Sequence, residues 1–214
     1  AAVLCACSAA PKDVLPNKAA QPTEAPTQQA QTTQAAPTEQ PTPEPDLVQQ
    51  LLEEMTLEQK VGQLFLVRPD SLDLSQTQDQ INDAKADGVT ELTDAMRQTL
   101  AEYPVGGVVI FGKNLESPQQ ITQFLDDLQQ ASDTPLFTAI DEEGGLVARL
   151  ANNAAFDLPQ YESAAAVGTS GNPEDARAMG RTIGGYLKEY GFNLDFAPVA
   201  DVNTNPDNPV IGTR

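Results

Sequence analysis

The residues best suited to chemistry are carboxylates that follow apolar runs of the sequence. Asp141, Glu142 and Glu143 come directly after one such run, and Asp195 lies inside a later one. Paired carboxylates can serve as nucleophile and general acid/base, and a single carboxylate can accept hydrogen bonds from ligand hydroxyl groups. We favour a structural role, as helix cap or loop acceptor, for Glu142, Glu143 and Asp195. For Asp141 we favour a ligand-facing role, because it is the first polar residue after its run and should point into the mouth of a sheet.

Three arginines and one further carboxylate accompany these groups. Arg68 directly follows an apolar run and can offer guanidinium donors to a hydroxylated or anionic ligand. Arg149 is close enough in sequence to pair with the acidic loop, which is the interpretation that we slightly favour. Arg214 has no interpretation from its residue type alone. Asp201 follows the last apolar run, and we expect a loop or sheet-end carboxylate there.

Composition excludes several other kinds of site. The 214 residues contain no histidine, so Ser/His/Asp triads, Cys/His couples and histidine-ligated zinc are ruled out within this sequence. A formal net charge of −19 argues against nucleic acid as a partner, since that binding depends on clustered lysine and arginine. Gly106-Gly107 and Gly144-Gly145 do not form a dinucleotide or phosphate-binding loop. The glycine pairs therefore give no support for a nucleotide site.

The elements that must position these side chains alternate between helical and strand patterns. Four apolar strands interspersed with amphipathic helices predict a parallel sheet of the α/β class. Periodicity alone leaves open whether this is an open sheet or the first half of a barrel, but both place chemistry at the carboxyl ends of strands. The predicted helices are 46–60 with a break near Thr56, 92–103, 117–131 and 173–190, and the predicted strands are 61–67, 105–111, 136–140 and 193–198.

The first 45 residues differ in composition from the rest. Residues 8–45 are rich in Pro, Gln, Thr and Ala, which predicts a disordered linker because too little apolar surface can be buried. Residues 1–7 resemble the end of a lipoprotein signal peptide, in which Cys7 would be lipidated; ordinary cysteines in a leftover signal peptide are the alternative. The sequence has no apolar run of the ~18 residues that span a bilayer. We therefore expect an extracytoplasmic protein that is either secreted or held at the bacterial membrane by a lipid anchor.

Five motifs occur in an order typical of one enzyme family. Together they resemble the N-terminal barrel of glycoside hydrolase family 3, and specifically its β-N-acetylhexosaminidase branch, over about 46–214. Leu146 departs from this pattern, since many relatives have Arg at that position. The motifs are KVGQL (60–64), GGVVIF (106–111), IDEEGGLVARL (140–150), NLDFAPVADV (193–202) and IGTR (211–214).

The resemblance implies a fold and a set of site residues. The fold would be the first half of a TIM-like (β/α)8 barrel, incomplete at its carboxyl end. Asp141, Arg214 and Arg68 would bind substrate, while Arg149 and Asp201 would support the pocket. The family places its nucleophilic Asp and its His/Asp acid/base later in the barrel, so we expect all three beyond Arg214 and no catalytic residue in this chain.

The resemblance also implies a function. We expect the complete protein to hydrolyse terminal β-linked N-acetylglucosamine from cell-wall or chitin-derived saccharides, with retention of configuration. Since retaining hydrolysis needs only carboxylates, an acid/base group and water, we expect no cofactor and no metal. The 214-residue chain by itself should be inactive. One alternative is a family 3 β-glucosidase or xylosidase, which differs only in the sugar. The other is a noncatalytic domain that binds saccharides at the cell surface.

Overall fold

The computed structural model describes residues 46–205 and 207–214. The predicted signal-peptide remnant, the predicted linker 8–45 and the predicted lipidation site Cys7 therefore lie outside the described residues. Within the described ranges, no helix combines the length and apolar composition that crossing a bilayer requires.

The helices begin where the sequence places polar caps. Ser117 accepts a hydrogen bond from the backbone N–H of Gln120, and Pro118 occupies the first turn, where its missing N–H costs nothing. The helix from Pro173 begins in the same way, behind the cap Asn172. The helices are α1 (Leu47–Glu54), α2 (Leu57–Gly62), α3 (Gln78–Asn82), α4 (Asp94–Glu102), α5 (Pro118–Ala131), α6 (Ala164–Thr169) and α7 (Pro173–Glu189).

The strands form one parallel sheet and one short hairpin. Four strands lie in the order β1-β2-β3-β6, and every neighbouring pair is parallel. The hairpin β4-β5 is antiparallel and follows β3 directly. This arrangement confirms the predicted α/β class with a parallel sheet. The strands are β1 (Leu66–Val67), β2 (Gly107–Ile110), β3 (Phe137–Ile140), β4 (Glu142–Gly144), β5 (Val147–Ala148) and β6 (Leu194–Asp195).

The core lies between the sheet and the helices α4, α5 and α7. Val108, Ile110 and Ile140 of the two central strands have no solvent exposure, which is typical of parallel strands buried on both faces. Helix α5 covers them with its apolar side chains, each of which stabilises the fold by about 1.5–3 kcal/mol on full burial. Those side chains are Ile121, Phe124, Leu125 and Leu128.

Several sequence-based predictions are wrong in detail. The strand predicted for 61–67 begins only at Leu66, because a reciprocal capping box between Thr56 and Gln59 starts α2, which continues to Gly62. The strand predicted for 193–198 pairs only at Leu194–Asp195. Helices α3 and α6 and the hairpin β4-β5 lie in segments for which no element was predicted. The break near Thr56 is confirmed, since α1 ends at Glu54 and α2 starts at Leu57.

Candidate saccharide site at the carboxyl edge of the sheet

Polar and aromatic side chains gather where the parallel strands end. Arg68 follows β1, Phe111 follows β2, and Asp141 follows β3, while Asp195 is the last residue of β6. The register pairs Ile110 with Ile140 and Ile140 with Asp195, so these strand ends lie at one level. The structure therefore brings together residues that are up to 127 positions apart in sequence.

Asp141 and Arg149 form an ion pair at this edge. Nη2 of Arg149 lies 2.9 Å from Oδ2 of Asp141, and both side chains keep about a third of their surface exposed (33% and 27%). This confirms the predicted pairing of Arg149 with the acidic loop. Nε of Arg149 is buried and has no hydrogen-bond partner among the described residues. The buried Nε is closed to solvent, so a ligand would be met by the exposed part of the Arg149 side chain, next to the Asp141 carboxylate.

Glu142 holds the hairpin that carries Arg149. Its side chain is fully buried and accepts hydrogen bonds of 2.9 Å from the backbone N–H groups of Leu150 and Ala151 and from the Tyr186 hydroxyl. Burial and the adjacent Glu142 carboxylate raise the pKa of Tyr186, which stays protonated and donates. This confirms the structural role that we favoured for Glu142, and it positions Arg149 through the backbone.

Two glycines allow the hairpin to turn next to α7. Gly144 and Gly145 have φ values of +86° and +67°, which side chains with a Cβ rarely adopt. A Cβ at Gly144 would also overlap the Met179 side chain, and one at Gly145 would overlap the Glu162 carbonyl oxygen. Backbone geometry therefore favours glycine at both positions, and close packing against backbone requires it at Gly145, whereas the terminal methyl group of Met179 could move away from a Cβ at Gly144.

Glu143 and Arg214 form a second ion pair beside the first. Nε of Arg214 donates to Oε2 of Glu143 at 3.0 Å, and Nη2 donates to the other carboxylate oxygen, a bidentate arrangement. Hydrogen bonding to Glu143 raises the pKa of Arg214 above its usual value.

Asp201 is exposed, and with Arg214 it lines a cavity of about 260 Å³ whose wall includes Asn203. The predicted role of Asp201 in supporting a saccharide pocket stays a prediction.

The Asp195 side chain contacts the backbone of the acidic segment 141–143. Its Oδ1 accepts a hydrogen bond of 3.0 Å from the backbone N–H of Glu142. Burial, reinforced by the carboxylates of Glu142, Asp141 and Glu143, raises the pKa of Asp195 to about 6. Asp195 also borders a largely apolar cavity of about 480 Å³ between the strand ends and helix α7, whose wall includes Ile183. These contacts support the structural role that we favoured for Asp195.

The Arg68 guanidinium makes a hydrogen bond and an aromatic contact within the protein. Its Nη1 donates to the Ile81 carbonyl oxygen at 2.7 Å, and its guanidinium carbon lies 4.3 Å from the centre of the Phe111 ring. The guanidinium of Arg149 lies 5.7 Å from the same ring. The centre of the Phe111 ring is thus within 5.7 Å of two guanidinium groups. Sequence reasoning missed this contact, although Phe111 is the last residue of the predicted strand 105–111.

The arrangement offers hydrogen-bond groups in fixed positions rather than an obvious reactive pair. Carboxylate acceptors and guanidinium donors at a strand edge suit a ligand with several hydroxyl groups, because a ligand that lacks them leaves polar groups unpaired. Among the described residues, no three His, Cys, Asp or Glu side chains are placed to hold a metal ion. The direct roles predicted for Asp141, Arg68 and Arg214 stay predictions.

Comparison with known proteins identifies similar sequences and folds. The chain is 36% identical over 131 residues to Beta-hexosaminidase A of Pseudoalteromonas piscicida, a match that covers 59% of this chain and 22% of that protein. It is 33% identical over 129 residues to Beta-hexosaminidase of Thiobacillus denitrificans, covering 58% and 35% respectively. Among solved structures, a glycoside hydrolase family 3 beta-N-acetylglucosaminidase from Paenibacillus sp. str. FPU-7 is similar with a TM-score of 0.59 and 34% identity, over 73% of this chain and 26% of that one.

The matches thus span about a quarter to a third of the length of these relatives. The glycosyl hydrolase family 3 N terminal domain matches residues 56–214, which include both ion pairs and every strand of the sheet. Since this match covers most of the chain, and the sheet-edge motifs lie within it, the chain belongs to glycosyl hydrolase family 3.

Proposed function

We propose that the complete protein removes terminal β-linked N-acetylglucosamine from cell-wall or chitin-derived saccharides. The observation that carries the proposal is the partly exposed Asp141–Arg149 pair at the carboxyl edge of the sheet. Asp141 would accept hydrogen bonds from hydroxyl groups of the terminal sugar, and Arg149 and Arg214 would donate to it. The relatives named as beta-hexosaminidases and beta-N-acetylglucosaminidase support this choice of sugar.

We propose a retaining mechanism within a TIM-like barrel of which this sheet is the first half. One carboxylate would attack the anomeric carbon, while an acid/base group protonates the leaving oxygen and then activates water. Following the family resemblance, the nucleophilic Asp and the His/Asp acid/base would come from sequence beyond Arg214. The residues of this chain would bind and orient the sugar, so the 214 residues alone should not turn over substrate.

The protein expressed from the complete reading frame can be assayed with three chromogenic substrates. We expect release of nitrophenol from 4-nitrophenyl N-acetyl-β-glucosaminide and little release from the corresponding β-glucoside or β-xyloside. Since a retaining enzyme keeps the configuration of the anomeric carbon, NMR should detect the β-anomer of the free sugar first. Faster cleavage of the glucoside or xyloside would contradict the proposed substrate. Binding of N-acetylglucosamine without any turnover would instead support the noncatalytic saccharide-binding alternative.

We further propose that the protein is extracytoplasmic and carries a lipid on Cys7. The support is the resemblance of residues 1–7 to a lipoprotein signal peptide, followed by a linker-like composition in 8–45. Expression of the complete reading frame with labelled palmitate should label the protein, and Cys7→Ser should abolish the label while the neighbouring Cys5→Ser should not. Equal labelling of the Cys7 variant would contradict the proposal.

A further inference from the structure

A buried ion pair lies behind the Arg68 side of the candidate site. Nζ of Lys113 is 3.1 Å from Oδ1 of Asp70, and the two side chains are 6% and 0% exposed. Asn114, which is also fully buried, donates from Nδ2 to Oδ2 of Asp70 at 3.0 Å. We call Asp70, Lys113 and Asn114 the Asp70 network. Charges are rarely removed from water so completely unless they are paired and hydrogen-bonded, as they are here.

The network holds the segment 69–90 against the end of β2. Lys113 Nζ donates to the carbonyl oxygens of Gln80 and Ile81, both at 3.1 Å, near the end of helix α3. Val89 is held from both sides, because its N–H donates to Asp70 and its carbonyl oxygen accepts from Asn114. One buried cluster therefore fixes both ends of this segment.

The same network reaches two side chains of the candidate site. The Ile81 carbonyl oxygen that accepts from Lys113 also accepts from Nη1 of Arg68, at 2.7 Å. Asn114 Oδ1 accepts from the backbone N–H of Phe111 at 3.0 Å, which fixes the turn directly after β2. The stacking of Arg68 on Phe111 thus depends on atoms that the network holds in place.

We propose that Lys113 and Asp70 are positioning residues that set the affinity of the site for its saccharide. This inference rests on the proposed function. Since buried protein partners occupy Lys113 Nζ and both Asp70 oxygens, neither side chain offers an evident contact to a sugar. They act through the Ile81 carbonyl oxygen and the Phe111 backbone, which locate the Arg68 guanidinium and the aromatic ring. Small displacements of binding groups alter affinity even when the reacting groups are intact.

The test separates positioning from stability with two variants of the complete enzyme. Lys113→Met leaves the Asp70 carboxylate buried without its cation, so we expect a clearly lower urea midpoint. In the double variant Asp70→Asn/Lys113→Met no charge is left unpaired, so part of the lost stability should return, although the Asn side chain can accept from only one of Val89 and Asn114. The Ile81 carbonyl oxygen still lacks its Lys113 donor in the double variant. Arg177→Met, which removes an exposed charge paired with Glu174, serves as the control.

For each variant, KM and kcat are measured separately with 4-nitrophenyl N-acetyl-β-glucosaminide. We expect the double variant to show KM raised at least about 5-fold with kcat within about 2-fold of the parent, while the control changes neither. A KM that returns to the parent value together with stability would overturn the inference, as would a fall in kcat alone. If the parent enzyme cleaves no N-acetylglucosaminide, the proposed function fails. The same variants are then compared by calorimetric titration with N-acetylglucosamine, where unchanged affinity or no measurable binding overturns the inference.

Discussion

Two charged clusters at the same edge of the sheet are built in opposite ways. The Asp70 network is closed to solvent, with its ion pair 0% and 6% exposed. The Asp141–Arg149 pair is open, with 27% and 33% exposure, and it lies at the end of the neighbouring strand. The chemical groups are similar in both places, a carboxylate facing a cation at about 3 Å. Residue type alone therefore does not separate a structural ion pair from a binding one.

The number of remaining hydrogen-bond positions does separate the two pairs. Asp70 receives hydrogen bonds from Val89 and Asn114 in addition to its contact with Lys113. Asp141, in the part of the chain that the structure describes, accepts from Arg149 only. A carboxylate can accept about four hydrogen bonds, so Asp141 keeps several positions for a ligand. We call a carboxylate saturated when it has three partners and its remaining position is closed to solvent, as in Asp70. Buried and saturated carboxylates hold the fold, and exposed, unsaturated ones can bind.

Glu142 tests this distinction most strongly, because it lies in the open cluster but is saturated like Asp70. Replacing Glu142 with Leu leaves the N–H groups of Leu150 and Ala151 and the Tyr186 hydroxyl without an acceptor. We expect the free energy of unfolding to fall by roughly 4 kcal/mol, as measured by urea denaturation. Glu142→Gln keeps one acceptor oxygen and should lose less. A loss below about 1 kcal/mol for Glu142→Leu would show that saturation does not identify a structural carboxylate.

Asp141 should give the reverse result, a large effect on activity with a small effect on stability. Asp141→Asn removes the charge that assists hydrogen bonds with Arg149 and with sugar hydroxyls. We expect kcat/KM of the complete enzyme for the N-acetylglucosaminide to fall about 100-fold, or about 2.7 kcal/mol. The exposed pair should contribute less than about 1 kcal/mol to stability. The exposed Asp157→Asn is the matched control, and equal losses of activity in both variants would contradict the assignment.

Asp195 should show the smallest effect, and it should depend on pH. Its folded-state pKa of about 6 exceeds its ordinary value of 3.8, so the native state holds this proton more tightly than the unfolded chain does. Stability should therefore fall as pH rises from about 4 to 6. Asp195→Asn should remove this decline and raise stability at pH 7 by about 1 kcal/mol, since partial exposure screens the carboxylate. Urea midpoints at pH 4.5 and 7 test this, and parallel shifts of both proteins would contradict it.

Most of the fold follows from local sequence signals. Ser117 before Pro118, and Asn172 before Pro173, begin the two longest helices where their caps predict. The two central strands are continuous apolar runs, so their existence and burial were also predictable. The strand at 61–67 was not, because Val61 is compatible with either structure and the capping box at Thr56 decides for a helix.

The candidate site was only partly predictable. Asp141 could be identified because a polar residue directly after a buried strand lies at the sheet edge, and its pairing with Arg149 is nearly local. The Asp70 network gave no sequence signal, since Asp70 and Asn114 are 44 residues apart and belong to segments that read as surface loops. Phe111 was overlooked because its two arginine neighbours come from different parts of the chain.

The sequence by itself determined the alternation of strands and helices, the family, and the position of Asp141 at the end of β3. These depend on apolar periodicity, on caps and on contiguous motifs, all of which are local along the chain. Only the tertiary structure decided which carboxylates are saturated. That depends on which backbone N–H groups and cations the parallel register brings together, and neighbouring residues such as Asp141 and Glu142 receive opposite surroundings.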